Sequence, residues 1–406
     1  MSGPGLTRRL RHYLARLVLF GDYVKVSLAQ ASKTLPENDK KIVCVLDHSR
    51  LYRDDDGSGR HAYLILNLFS DAGYTVYFYK KITFGGFLRL SSYGRLIYSI
   101  PNVKFISKIS ERTEEMIYAF DDEADKRGLL KHSWKKMLYI NVEKPLSCTI
   151  GRMIWIPYGM HPLLYSSGCD KKLNDYRAAK KKVRTFFGGN VSPVYYRNPK
   201  LRGYGQLTRM EGVEALLNSG SKVREFENSK QFESMLSGEQ YFEECLLLKT
   251  DNTFRIHPSD WLNLVSKADF FICLSGTCYP MCHNAFESLA VGTIPIISYA
   301  DWFYPPLEHK KNALVYDGTK EDLVKKVQES LGMSTGEIAQ MRENVICYYE
   351  ENLTSQSFVR QIRSAKEKIL TLMLHPRYIH LEADHREDGR IIEDFAQTAK
   401  VLVSRS

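Results

Sequence analysis

The chain has 406 residues, with 57 Lys plus Arg against 47 Asp plus Glu and a formal charge of +10 with histidine neutral. That length is roughly two to three times a common single domain, so at least two hydrophobic cores are expected. A composition of 44% hydrophobic and 26% charged residues excludes a wholly disordered, collagenous or coiled-coil chain, and eight cysteines without a CxxC pair exclude a disulfide scaffold and predict reduced thiols.

Residues 1–40 read as a basic amphipathic segment. Arg16, Asp22 and Lys25 break any apolar run long enough to span a bilayer. On a helix, Leu10, Tyr13, Leu14, Leu17 and Val18 share one stripe, while Arg8, Arg9, Arg11 and Arg16 occupy much of the rest. The pattern suits a helix lying on an anionic membrane surface and, equally, a helix docked on its own domain. The chain is expected to be cytoplasmic and, in the first case, peripheral to the membrane.

Next comes KIVCVLD from Lys41 to Asp47, an apolar run that suits a strand buried on both faces of a parallel sheet. A polar loop, HSRLYRDDDGSGRH, is expected to follow, then a helix over AYLILNLFSDAG and a strand over YTVYFYKK. Strand, loop, helix and strand in that order form the unit of an open α/β sheet. Further strands are predicted at Lys104–Ile106, Met116–Phe120, Met137–Ile140 and Met153–Ile156. They assign 41–175 to a first α/β domain.

A basic stretch, KKLNDYRAAKKKVR, leads into TFFGGN, read as a strand ending in a diglycine turn and as the start of a second α/β domain over 176–345. Its elements are the strand ECLLLKT, the helix HPSDWLNLVSKA, the strand FFICLS, a helix over about Met281–Val291 and the strand TIPIIS. From Glu321 the pattern turns helical through SFVRQIRSAKEKILTLML, so 346–406 is expected to hold C-terminal helices that cover the sheet or return to the first domain. Cys273, Cys278 and Cys282 beside His283 match no zinc-finger spacing, so a metal site is not expected there.

In an open α/β sheet, ligands collect at the carboxyl ends of strands, where helix N-termini offer free N–H groups to anions. FFICLS ends in the turn Ser275, Gly276, Thr277, and the following helix carries His283 and Glu287 on one face, with Asn284 and Ser288 one residue away. The segment from Ala268 to Gly318 resembles the donor-binding half of GT-B glycosyltransferases, particularly exostosin-like and fucosyltransferase-like members. The resemblance rests on Glu287, Leu289, Ala290 and Gly292, on the strand Ile294–Ile297, and on the loop Pro306–Leu314.

The resemblance implies two Rossmann-like domains facing a cleft, a helical C-terminus, and transfer of a sugar from a nucleotide-activated donor to a glycan or lipid-linked acceptor, as in polysaccharide synthesis. Glu287 would accept hydrogen bonds from the donor ribose, with His283, Asn284 and the loop Ser275–Thr277 near the diphosphate or sugar. The nucleotide-sugar is substrate, and no cofactor or metal is implied. Two positions depart from family patterns: Tyr279 stands where many retaining members have a second glutamate, and His283 where exostosin-like members tend to have arginine.

Such a transferase also needs a base for the acceptor hydroxyl, and the run Asp54, Asp55, Asp56 supplies candidates, with Arg60 and His61 on the acceptor side. The pairs Asp55-Asp56-Gly57 and His257-Pro258 resemble two short motifs of sialyl- and Kdo-type transferases, which would make His257 a donor-side group. Gly188 and Gly189 would let backbone approach the donor, and Arg209 would offset its phosphates. A base of this kind favours direct displacement with inversion. The alternatives are a metal-dependent GT-A enzyme using the D-x-D spacing, a catalytically silent sugar or nucleotide binder, and a nucleic-acid binder. The last rests on charge alone, with no RNA-binding or zinc-finger motif beside it.

Overall fold

A computed structural model describes residues 4–34, 42–46, 56–90, 92–109, 113–120, 132–141, 149–193, 199–220, 222–226, 228–250, 256–277 and 279–374. The chain divides into two compact units. Among the described residues the first holds those up to Ile156 together with 358–374, and the second runs from Pro157 to Ser357.

The first unit opens with helix α1 (Pro4–Ser32) and strand β1 (Ile42–Leu46). Helix α2 (Asp56–Asp71) and strand β2 (Thr75–Tyr79) follow, then the short helices α3 (Phe84–Arg89) and α4 (Ser92–Arg95). Strands β3 (Val103–Ile106), β4 (Met116–Phe120), β5 (Lys136–Asn141) and β6 (Arg152–Trp155) complete this passage. The polar stretch from Asp56 to His61, expected in a loop, forms the first turns of α2.

The second unit begins with helices α5 (Pro162–Ser166) and α6 (Leu173–Ala178), strand β7 (Val183–Asn190) and helix α7 (Arg209–Leu217). Strand β8 (Val223–Phe226), helix α8 (Ser229–Ser237), strand β9 (Phe242–Thr250), helix α9 (Pro258–Ser266) and strand β10 (Ala268–Cys273) continue the alternation. Helix α10 (His283–Ala290), strands β11 (Ile294–Ile297) and β12 (Leu314–Val315), and helices α11 (Lys320–Gly332) and α12 (Thr335–Asn352) follow.

Helix α13 (Ser355–Ser364) then carries the chain back to the first unit, where β13 (Ile369–Met373) inserts between β5 and β6. This strand corrects the helical reading of ILTLML. All five residues of β13 are buried, and an apolar run of that length is compatible with either a helix or a central strand until its neighbours are known. The second unit also begins at Pro157, earlier than the boundary expected at 176. Residues 157–178 pack in the second unit, with the Tyr158 ring 5.7 Å from Phe286 and Arg177 Nε donating to the Ala290 carbonyl at 2.8 Å.

Strand order is β3-β2-β1-β4-β5-β13-β6 in the first sheet and β12-β11-β10-β7-β9-β8 in the second. Every pairing between these strands is parallel. Strands β7, β9 and β10 are the buried middle of the second sheet, which explains their near-continuous apolar sequence. Phe186, Phe271 and Phe232 are fully buried in its core.

Helices antiparallel to the strands bring their carboxyl ends to the amino edge of the second sheet. The basic run before β7 meets them there. Lys181 Nζ donates to the carbonyl of Ser266, the last residue of α9, at 2.7 Å. Lys182 Nζ donates to Gly238 beyond α8 at 2.7 Å, Arg184 Nη1 to Met333 beyond α11 at 3.1 Å, and Arg177 to the end of α10. These cations satisfy orphan carbonyls and oppose the negative ends of four helix dipoles. A run that suggested nucleic acid is thus engaged, at these four positions, in closing the fold.

Lys181 carries a cost for this position. Desolvation of its ammonium group, with Arg342 adding and Asp269 opposing, lowers its pKa to about 7. Between that value and the ordinary lysine value, the unfolded chain binds more protons than the folded one, so stability rises with pH through this window. Against Lys181→Met, the wild-type protein should gain stability from pH 7 upward by as much as about 1.4 kcal/mol per pH unit. Thermal melts of both across that range would test this, and parallel profiles would contradict it.

Candidate functional site

The carboxyl edge of the second sheet gathers most of the sequence-predicted donor residues. Strand β7 lies between β9 and β10, and chain connections leave toward opposite sides of it, which makes this edge a topological switch point. Gly188 and Gly189 directly precede Asn190, the last residue of β7, and pair with Leu248 and Lys249 of β9, so they belong to the strand and not to the turn expected there. Their smallness answers to neighbours. A Cβ on Gly188 would stand 2.7 Å from Phe186 Cζ and 3.1 Å from Trp261 Cζ3. One on Gly189 would stand 3.3 Å from Arg209 Nη1.

Arg209 is the first residue of α7, whose start is set by a capping box between Thr208 and Glu211. Its side chain is buried. Nη1 donates to the Asn190 carbonyl at 3.0 Å, and Nη2 to the Ser275 carbonyl at 3.4 Å and toward Cys282 Sγ at 3.4 Å. One guanidinium therefore ties the end of β7 to the loop after β10. Asn284 Nδ2 donates to the Gly188 carbonyl at 3.3 Å, which adds α10 to the same corner.

The loop after β10 turns tightly at Gly276, whose N–H donates to the Pro280 carbonyl at 3.2 Å; a Cβ there would meet the carbonyl oxygens of Tyr279 and Met281 within 3 Å. Ser275 is buried, and its hydroxyl finds no hydrogen-bond partner among the described residues. Thr277 is exposed. Cys282 is the N-cap of α10 and makes no side-chain capping bond, so this N-terminus keeps donors that serine or aspartate would occupy.

His283 is buried at the first position of α10, and Nδ1 donates to the Gly159 carbonyl at 3.0 Å, with Tyr158 packed at 4.7 Å between ring centroids. Glu287, one turn further, is 2% exposed. Its Oε1 accepts from the His161 N–H at 3.0 Å and its Oε2 from Trp261 Nε1 at 2.6 Å. Each oxygen thus accepts one bond from the protein and keeps a second lone pair. The geometry makes Glu287 the group that positions Trp261 beside Gly188. Sequence reasoning overlooked Trp261, although its place four residues after His257 on an amphipathic helix aims it at this corner.

His257 is the exposed N-cap of α9, with Nδ1 accepting from the Ser259 N–H at 3.3 Å. In the first unit, Asp54 and Asp55 lie outside the described residues, and Asp56 opens α2 with a side chain that is also outside them. Arg60 stacks on Tyr93 with 4.6 Å from Cζ to the ring centroid, and His61 is half-buried. Cys273 is buried in β10, where desolvation raises its thiol pKa. Among the described residues, no group of three His, Cys, Asp or Glu side chains is arranged to hold a metal ion.

No protein-family model and no curated protein matches this chain. Solved structures similar to it include Alr3699/HepE of Anabaena in complex with UDP-glucose, at 12% identity over 79% of this chain and 98% of that one, with a TM-score of 0.41. Sucrose-phosphate synthase of Thermosynechococcus elongatus aligns at 8% identity over 80% and 97%, TM-score 0.41. The β-glucosyltransferase of T4 phage aligns at 13% over 80% and 100%, TM-score 0.37. At scores this low, the fold and the function rest on the chain's own topology and residues.

The arrangement distinguishes two roles for Glu287. Glu287→Gln sets an amide donor against one of two buried N–H donors, and Glu287→Ala orphans both, so losses of about 1–3 kcal/mol and about 3 kcal/mol or more are expected. Melting curves would show them. Variants that melt like wild type but lose nucleotide affinity would instead assign the carboxylate to the ligand.

Proposed function

We propose that this chain transfers a glycosyl group from a nucleotide-activated sugar to a hydroxyl of a glycan or lipid-linked acceptor, as in surface polysaccharide or glycoconjugate synthesis. The observation that carries this reading is the corner where Arg209, the glycine end of β7 and the N-terminus of α10 meet. A fixed cation and free helix-end donors suit a diphosphate. The resemblance of Ala268–Gly318 to GT-B donor segments supports the same reading.

In this reaction the acceptor oxygen bonds to the anomeric carbon as that carbon's bond to the diphosphate oxygen breaks. The electron pair leaves with the nucleoside diphosphate, whose growing charge is offset by Arg209 and the helix end. The acceptor proton passes to a carboxylate of Asp54, Asp55 or Asp56. Attack opposite the leaving group inverts the anomeric centre. Ser275 and Asn284 belong to the donor side of this corner, while His283, Glu287 and His257 act through the elements they brace.

Calorimetry with UDP, GDP and CMP should reveal one preferred nucleotide. Arg209→Lys keeps the charge but loses the planar fork that joins Asn190 to Ser275, and should weaken that affinity about tenfold or more and also lower the melting temperature. Unchanged affinity would remove Arg209 from the donor site. Replacing Asp54, Asp55 and Asp56 together by Asn should abolish transfer and spare nucleotide binding. Turnover is expected to survive EDTA; loss that manganese restores would favour the D-x-D reading.

A further inference from the structure

Seven of the nine large hydrophobic side chains exposed among the described residues sit on α1. At about 100° per residue, Tyr13, Leu17, Val24 and Leu28 fall within about 60° of helical arc, and Leu14 and Val18 widen the stripe on one side. Leu28 is 65% exposed and Leu17 57%, so this stripe is not what holds the helix to its unit.

A different face does that. Tyr23 packs on Phe84 and Phe87 with centroids 5.4 and 6.0 Å apart. Gln30 is buried; its Nε2 donates to the Tyr98 carbonyl at 3.1 Å, and its Oε1 accepts from the Phe105 N–H at 3.4 Å. These anchors lie roughly 150° around the helix from the stripe. The two readings of the N-terminal helix are therefore complementary: one side docks, and among the described residues a second apolar side is left exposed.

Charge selects the occupant. Exposed Arg16 lies about 60° beyond one edge of the Tyr13–Leu28 arc and exposed Lys25 about 60° beyond the other, between Leu14 and Val18, and α1 holds five basic residues against one acid, Asp22. A second copy of the helix would set these cations against their like, whereas an anionic lipid surface neutralises them. Nor does the helix insert upright: no helix among the described residues is long and apolar enough to cross a membrane. We propose that α1 lies flat on an anionic bilayer, with the Tyr13–Leu28 stripe in the acyl boundary and Arg16 and Lys25 at headgroup level.

Flotation of the full chain with phosphatidylcholine vesicles, with and without phosphatidylglycerol, tests this without nucleotide or turnover, so its outcome is separate from that of the transferase reading. The wild-type protein should float with the anionic vesicles. Leu14→Ser with Leu17→Ser should lower the bound fraction about tenfold or more at an unchanged melting temperature. Arg16→Gln with Lys25→Gln should weaken anionic binding and its salt dependence. Absence of flotation would overturn the proposal. So would a lowered melting point of the leucine variant, which would mean the stripe is covered in the free protein, or a dimer in light scattering that the same variant dissolves.

Discussion

Parallel pairing throughout both sheets is the constraint from which the charge arrangement follows. A parallel strand must be followed by a crossover, and the crossover helices run against the strands. Helix carboxyl ends therefore gather at one sheet edge and helix amino ends at the other, each with its own sign of partial charge. In the second unit the first edge is met by Arg177, Lys181, Lys182 and Arg184. The first unit repeats the device, with Lys136 Nζ donating to the carbonyls of Ile362 and Ala365 near the end of α13. Much of what reads in one dimension as a basic run is, in three, a set of helix terminators.

The other edge holds the less common arrangement, buried ionisable groups bound mainly to neutral partners. Arg209 spans two carbonyls contributed by segments far apart in sequence, and Glu287 accepts from an indole and a backbone amide. Charges placed this way are costly unless every neighbour is oriented, so they fix geometry more than they add stability. Gly188 and Gly189 complete the arrangement by leaving room for Trp261 and the guanidinium. The corner is rigid because its polar groups constrain one another, a property that suits a site meant to receive a fixed anionic group.

The N-terminal helix illustrates how one sequence pattern serves two surfaces. A helix that only docks on its own unit needs one apolar stripe, with the remaining faces polar. Here Tyr23 and Gln30 carry the docking contacts, while the more hydrophobic stripe is the exposed one. Burial is thus assigned against the ranking that hydrophobicity alone would set, which marks the exposed face as an interaction surface and not a packing remainder.

The sequence by itself determined the α/β class, the central strands, and the helix that follows β10, because apolar runs and helical spacing are local consequences of burial. It also singled out Arg209, Asn284 and the Gly188–Gly189 pair, whose residue types are unusual where they stand. Tertiary structure alone decided the rest. The insertion of β13 between β5 and β6 depends on a partner more than two hundred residues away, and the segment ILTLM carries no local signal that separates it from a helix. The engagement of Glu287 by Trp261 and His161, and the duty of the basic run as helix terminators, are likewise contacts between distant segments. Periodicity reports which side of an element is buried, whereas the identity of the neighbour that occupies that side is set only when the whole chain has packed.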